Sequence, residues 1–97
     1  MPVMSPVMKL ADKVAVSPQV TAREVSGETV ILDLESGNYY GLNPVGARMW
    51  QLMEAGNSLS AVCDAVAEEY NVPLDVLQRD VLKLACDLVD KKLVSVK

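Results

Sequence analysis

The sequence predicts an α+β fold, a winged-helix-like domain with a three-stranded antiparallel sheet followed by three helices. Three observations carry this. β-Branched, alternating stretches crowd together before Leu42, every strong helix start lies at or after Asn43, and the last helical pattern is the longest. A chain of 97 residues with no repeat and no low-complexity linker reads as one domain with a single modest core. Residues 1–13 are expected to be a flexible N-terminal tail, and residues 14–97 the folded domain.

The opening "MPVMSPVMKL" is apolar but holds two prolines, and its only basic side chain, Lys9, follows the apolar residues instead of preceding them. That order does not suit a signal peptide. Although 51% of the residues are hydrophobic, the uninterrupted apolar runs are short, so no segment reads as a membrane span.

Val20–Val25 and Thr29–Leu34 are rich in β-branched residues and flank Ser26-Gly27-Glu28, the pattern of a hairpin. Alternation along the second strand assigns Val30, Leu32 and Leu34 to the core. A three-residue turn at Glu35-Ser36-Gly37, with Gly37 left-handed, sets Leu32 opposite Tyr40 and Val30 opposite Leu42, and turns Tyr40 and Leu42 inward. A tighter Ser36-Gly37 turn swaps the faces and turns Tyr39 inward, because a one-residue slip inverts a strand. The first register is the expectation adopted here.

Asn43-Pro44 starts the first helix, since Asn caps free N–H groups and Pro at the first helical position loses no hydrogen bond. It should run to about Ala55 with Val45, Met49, Leu52 and Met53 as its apolar stripe and Trp50 at one margin, ending at Gly56-Asn57. Ser58 caps a second helix to about Tyr70, whose stripe is Leu59, Val62, Cys63, Val66 and Tyr70. The third runs from near Pro73 to about Lys92, and Val94–Val96 can add a short final strand.

The chain has no histidine, no Gly-rich phosphate loop and no nucleophile elbow, so acyl transfer, phosphoryl transfer and histidine acid–base chemistry lack their parts. The carboxylate pairs Asp80/Asp87 and Glu68/Glu69 lie on outward helix faces, where acidic residues ordinarily form solvated surface. The expectation is no enzyme, no metal and no cofactor. Cys63 and Cys86, the two cysteines, have no histidine to complete a metal site and read as reduced thiols of a cytoplasmic protein.

A net charge of −4 weighs against nucleic acid. If this were a DNA-binding winged helix, the third helix would enter the major groove, yet its polar face mixes Arg79, Lys83 and Lys91 with Asp80, Asp87 and Asp90. A carrier protein would need a serine after an aspartate, and no Asp-Ser pair occurs.

On the third helix Leu74, Leu77, Val81, Leu82, Leu84, Ala85, Leu88 and Val89 fill an arc of roughly 160°, wider than the usual stripe of about 100°. Packing against two neighbours would account for that width. Alternatively one margin, Leu77, Val81, Leu84 and Leu88 flanked by Asp80 and Asp87, lines a groove. The tyrosine pair divides the same way: one core ring and one surface ring, or a strand whose free edge accepts an extended peptide, with Gly41 keeping the approach uncluttered.

"ILDLESGNYYGLNPVGARMW", with the "EEYNVP" that ends the second helix and the "DVLKLACDLVDKKLV" of the third, resembles the peptide-recognition family typified by pyrroloquinoline quinone biosynthesis protein D. Members also serve as the leader-binding part of lasso-peptide maturation machinery. The resemblance spans about Val14 to Val96. It implies a winged-helix-like domain without catalysis of its own that binds the leader of a ribosomally made precursor as a strand added to its third strand, in the cleft toward its third helix. It implies delivery to a leader peptidase in lasso systems or a radical modifying enzyme in the quinone pathway. Carried onto this chain, the binding strand is Tyr39, Tyr40, Gly41 and Leu42, and the helix wall includes Leu77, Asp80, Val81, Leu84 and Leu88. Quinone-pathway members tend to read "LNETA" after the strand, whereas "YYGLNPVGARMW" looks more like the free-standing leader-binding proteins of lasso clusters. The expected partners are therefore a precursor leader and its modifying enzyme, without nucleic acid or membrane. The same edge could also pair two copies of the chain.

Overall fold

The computed structural model describes residues 8–96; residues 1–7 of the expected tail, and residue 97, lie outside the described residues. Its elements are β1 (Val14–Val16), β2 (Val20–Val25), β3 (Glu28–Asp33), β4 (Tyr39–Leu42), α1 (Pro44–Glu54), α2 (Leu59–Tyr70), α3 (Leu74–Asp90) and β5 (Val94–Val96). The expected architecture is present: β2, β3 and β4 form an antiparallel sheet in that order, and three helices follow. A separate ribbon pairs β1 with β5, setting Val14 opposite Val96 and Val16 opposite Val94. β1 was not anticipated, because its partner lies at the far end of the chain. No described helix is long and apolar enough to cross a membrane.

Ser26 and Gly27 take φ values of 52° and 83°, which makes a two-residue hairpin turn of the kind whose twist suits paired strands. Val25 then pairs with Glu28, so Glu28 belongs to β3 rather than to the turn.

The β3–β4 connection corrects the predicted register. Asp33 N donates to Asn38 O at 2.8 Å and Gly37 N to Asp33 O at 2.8 Å, which leaves residues 34–37 as the loop. Ile31 therefore pairs with Tyr40 and Thr29 with Leu42, not Leu32 with Tyr40 and Val30 with Leu42. One residue more in the loop inverts the face of β3 while preserving that of β4. Ile31 is fully buried and Leu34, expected in the core, is 67% exposed. Leu42 is nonetheless buried and Tyr39 outward, as the favoured turn required of β4. Gly37 is left-handed at φ 81°, also as expected.

The helix starts follow the sequence signals. Asn43 Oδ1 accepts from Gly46 N at 2.8 Å, and Ser58 Oγ from Ala61 N at 3.2 Å. A Cβ at Gly46 would come within 3.3 Å of Asn43 Oδ1 and 3.4 Å of Leu42 Cδ2, so glycine leaves room for the cap. Two further N–H groups at the start of α2 are satisfied by the segment before β1: Leu59 N donates to Asp12 O at 2.9 Å and Ser60 N to Leu10 O at 2.7 Å. Met8, in the same segment, is 7% exposed and belongs to the core cluster.

The core joins Met49, Trp50 and Met53 of α1, the Leu59/Val62/Cys63/Val66 stripe of α2, and Leu77, Val81, Leu84, Ala85 and Leu88 of α3. Trp50 is buried rather than marginal. Tyr70, expected in the α2 stripe, is 41% exposed. It is the last helical residue, and left-handed Asn71 at φ 54° turns the chain away there. A two-pronged ion pair braces α1 against α2: Arg48 Nε and Nη2 donate to Glu69 Oε1 and Oε2 at 2.9 and 3.0 Å.

Candidate binding cleft

β4 is an edge of the three-stranded sheet. Asp33 N donates to Asn38 O across the two strands, so by the alternation of an antiparallel ladder Tyr40 and Leu42 direct their backbone groups to β3. Tyr39 and Gly41 direct their N–H and C=O outward, to the open side. Nothing stands within 4 Å of where a Gly41 Cβ would be, so the sheet face opposite Tyr40 and Leu42 is open at that position. The opposite edge, β2, carries exposed Arg23 and Glu24, the charged dressing that discourages strand pairing.

Beside β4 a cleft of about 510 Å³ opens between the strand, the start of α1 and one side of α3. Leu42, Val45 and Met49 contribute apolar surface from the strand and α1, facing Val72, Leu77 and Leu84. Tyr40 Oη donates to Asp87 Oδ2 at 3.1 Å and so ties β4 to α3. Lys83 Nζ donates to the same oxygen at 3.0 Å, one turn earlier on the helix. The Lys83 hydrogen bond, helped by Tyr40 and opposed by partial burial, holds the Asp87 carboxyl below the usual carboxylate range. Burial first, then the bond to Asp87 and its negative charge, pushes the Tyr40 phenol up. Asp80 lines the cleft too, with no hydrogen-bond or ion-pair partner among the described residues.

Of the expected site residues, Tyr40, Gly41, Leu42, Leu77, Asp80 and Leu84 come together in this cleft. Tyr39 offers its backbone to the edge, but its ring is 68% exposed and outside the cleft. Val81 and Leu88 are fully buried and lie in the core rather than in the cleft lining. Both readings of the wide α3 arc thus hold for different residues. Val45, Met49, Val72 and Lys83 line the cleft without having been singled out for it. The i, i+4 spacing of Val45 and Met49 on α1 was a usable signal, whereas nothing local marks Val72. No group of three His, Cys, Asp or Glu side chains able to hold a metal occurs among the described residues.

Fold and cleft define a class: small α+β domains that present an uncovered strand edge beside an apolar helix wall, a geometry that can accept an extended peptide as an added strand. The family model for coenzyme PQQ synthesis protein D (PqqD) matches residues 28–94, which run from the first residue of β3 to the first of β5. The chain belongs to the PqqD family.

Solved structures agree. The chain is similar to TbiB1 in complex with the TbiA(beta) leader peptide, at 33% identity and a TM-score of 0.75, covering 84% of this chain and 94% of that one. It is also similar to a lasso peptide synthetase B1 complexed with the leader peptide, at 25% identity and a TM-score of 0.77, covering 86% and 98%. Comparison with curated proteins finds no match.

Proposed function

We propose that this chain is a non-catalytic module that binds the leader of a ribosomally made precursor peptide by strand addition and delivers it to a modifying enzyme, in the first place a lasso-type leader peptidase. The observation that carries the reading is the uncovered edge of β4, with the backbone groups of Tyr39 and Gly41 outward, beside the apolar cleft below it. The two solved relatives, both in complex with leader peptides, support it. Backbone pairing supplies affinity that tolerates sequence change, and the cleft supplies selectivity. Delivery needs no chemistry from the module, since holding a precursor beside its enzyme raises the effective concentration of substrate. Such work belongs in the cytoplasm, where ribosomal precursors arise.

Family membership supports a second reading, that of a peptide chaperone of the pyrroloquinoline quinone pathway acting with a radical enzyme. Co-purification with a leader peptidase or with a radical enzyme separates the two. An edge open to a leader is also open to a second copy of the chain, so homodimers through β4 would compete with the peptide.

The binding test uses the synthetic leader of the precursor encoded nearest to this chain, titrated while backbone amide shifts are followed. Shifts should concentrate in β4 and α3, and unchanged shifts there at high peptide concentration would overturn the reading. Gly41→Pro sharpens the test. It deletes an N–H that points away from β3, a place where an edge strand tolerates proline, so the melting temperature should hold while affinity drops about tenfold.

A further inference from the structure

We infer that Asp80 selects leader peptides that carry a lysine or arginine at a cleft-facing position, an inference that rests on the leader-binding reading above. A strand added to β4 alternates its side chains, and those opposite Tyr40 and Leu42 fall on the cleft side of the sheet. The charged groups that such side chains meet are Asp80, Lys83 and Asp87, two carboxylates against one ammonium.

They are not equivalent. Asp87 is already engaged and its charge balanced, because Lys83 and Tyr40 both donate to its Oδ2, and Lys83 is engaged by the same contact. The unbalanced negative charge is therefore that of Asp80, which has no partner among the described residues.

Its neighbours on the wall determine what a docked peptide does to it. Leu77 stands three residues before Asp80 and Leu84 four after, so all three share one face of α3. Asp80 is exposed in the unliganded chain. A peptide that covers Leu77 and Leu84 withdraws water from the carboxylate between them. An apolar or acidic side chain there leaves that carboxylate unpaired and partly dehydrated, a neutral donor restores a hydrogen bond but not the charge balance, and a cation restores both. Discrimination against the wrong leader thus comes as much from this penalty as from the attraction of the right one. The chain's net charge of −4 adds a long-range pull on a cationic segment.

The experiment uses the full chain and the synthetic leader described above, with affinity measured at low and high salt for the wild type, Asp80→Asn and Asp90→Asn. Asp90 is exposed, lies outside the cleft and carries the same charge, so it controls for net charge. Asp80→Asn should lose about two- to fivefold in affinity and flatten the salt dependence, while Asp90→Asn, which removes only its share of the long-range pull, changes both far less. Replacing the leader's cation with glutamine should cause the same loss, and combining it with Asp80→Asn should add little. The inference is overturned if the leader segment that perturbs β4 holds no lysine or arginine, or if Asp80→Asn binds like the wild type. A wild-type chain that fails to bind the leader at all overturns the leader-binding reading itself, whereas binding indifferent to Asp80 removes this inference alone.

Discussion

Asp33 shows how one side chain can settle a strand register. It is 3% exposed, and its Oδ1 accepts from Glu35 N at 2.9 Å and Ser36 N at 3.3 Å, which closes the loop before β4. The Glu35 N–H is the chief reason its carboxyl sits below the usual carboxylate range, with burial opposing and the Ser36 bonds assisting. Asp87 is lowered as well, chiefly by Lys83. Both groups therefore bind protons less readily in the folded chain than in the unfolded one. The stability they contribute is fully present above the unfolded aspartate value of about 4, and it is lost as pH falls through their folded values. Melting temperatures taken from neutral pH down through this window should drop for the wild type, and less steeply for an Asp33→Asn, Asp87→Asn double variant. Equal slopes would show that these carboxylates do not govern the acid response.

Among the elements, α3 carries two duties on one apolar arc. Val81 and Leu88 are fully buried, while Leu84, at 8% exposure, reaches the cleft. Val81→Glu should cost several kcal/mol and unfold the domain, because it buries an unpaired charge. Leu84→Ala should cost roughly 2 kcal/mol, leave a folded domain, and reduce leader affinity through the wall it thins. Urea unfolding beside the leader titration distinguishes them, and a folded Val81→Glu variant would contradict the placement of that residue. The α1 and α2 starts were legible in advance because Asn43-Pro44 and Ser58 act on N–H groups within three residues of themselves. The face of β3 was not, because both alternating sets contain apolar residues and the number of loop residues chooses between them.

For the molecule as a whole, the β1–β5 ribbon closes the two ends of the domain on each other. Val14 and Val94 are 2% and 3% exposed, and Ser17 N donates to Leu93 O at 3.0 Å. Ending the chain after Leu93 removes β5, strips Val14 of its partner strand, and should lower the urea midpoint of a domain whose total stability is only about 5–15 kcal/mol. Neither ribbon strand lines the cleft, so the fraction still folded should bind leader as the full chain does. Loss of binding by folded, truncated protein would show that the ribbon shapes the cleft from a distance.

The fold class, the helix starts and the Ser26-Gly27 hairpin all follow from signals a few residues long, because caps and turns are local physics. Tyr40 and Leu42, by contrast, face inward as expected only because the extra loop residue and the inverted face of β3 offset each other. Family kinship was legible too, in the order and spacing of individually soft motifs. The division of the α3 arc into core and cleft, the pairing of β1 with β5, and the engagement of Asp87 but not Asp80 depend on which elements pack against one another. Periodicity can say that a helix face is apolar, but only the neighbouring layers decide which part of that face stays open.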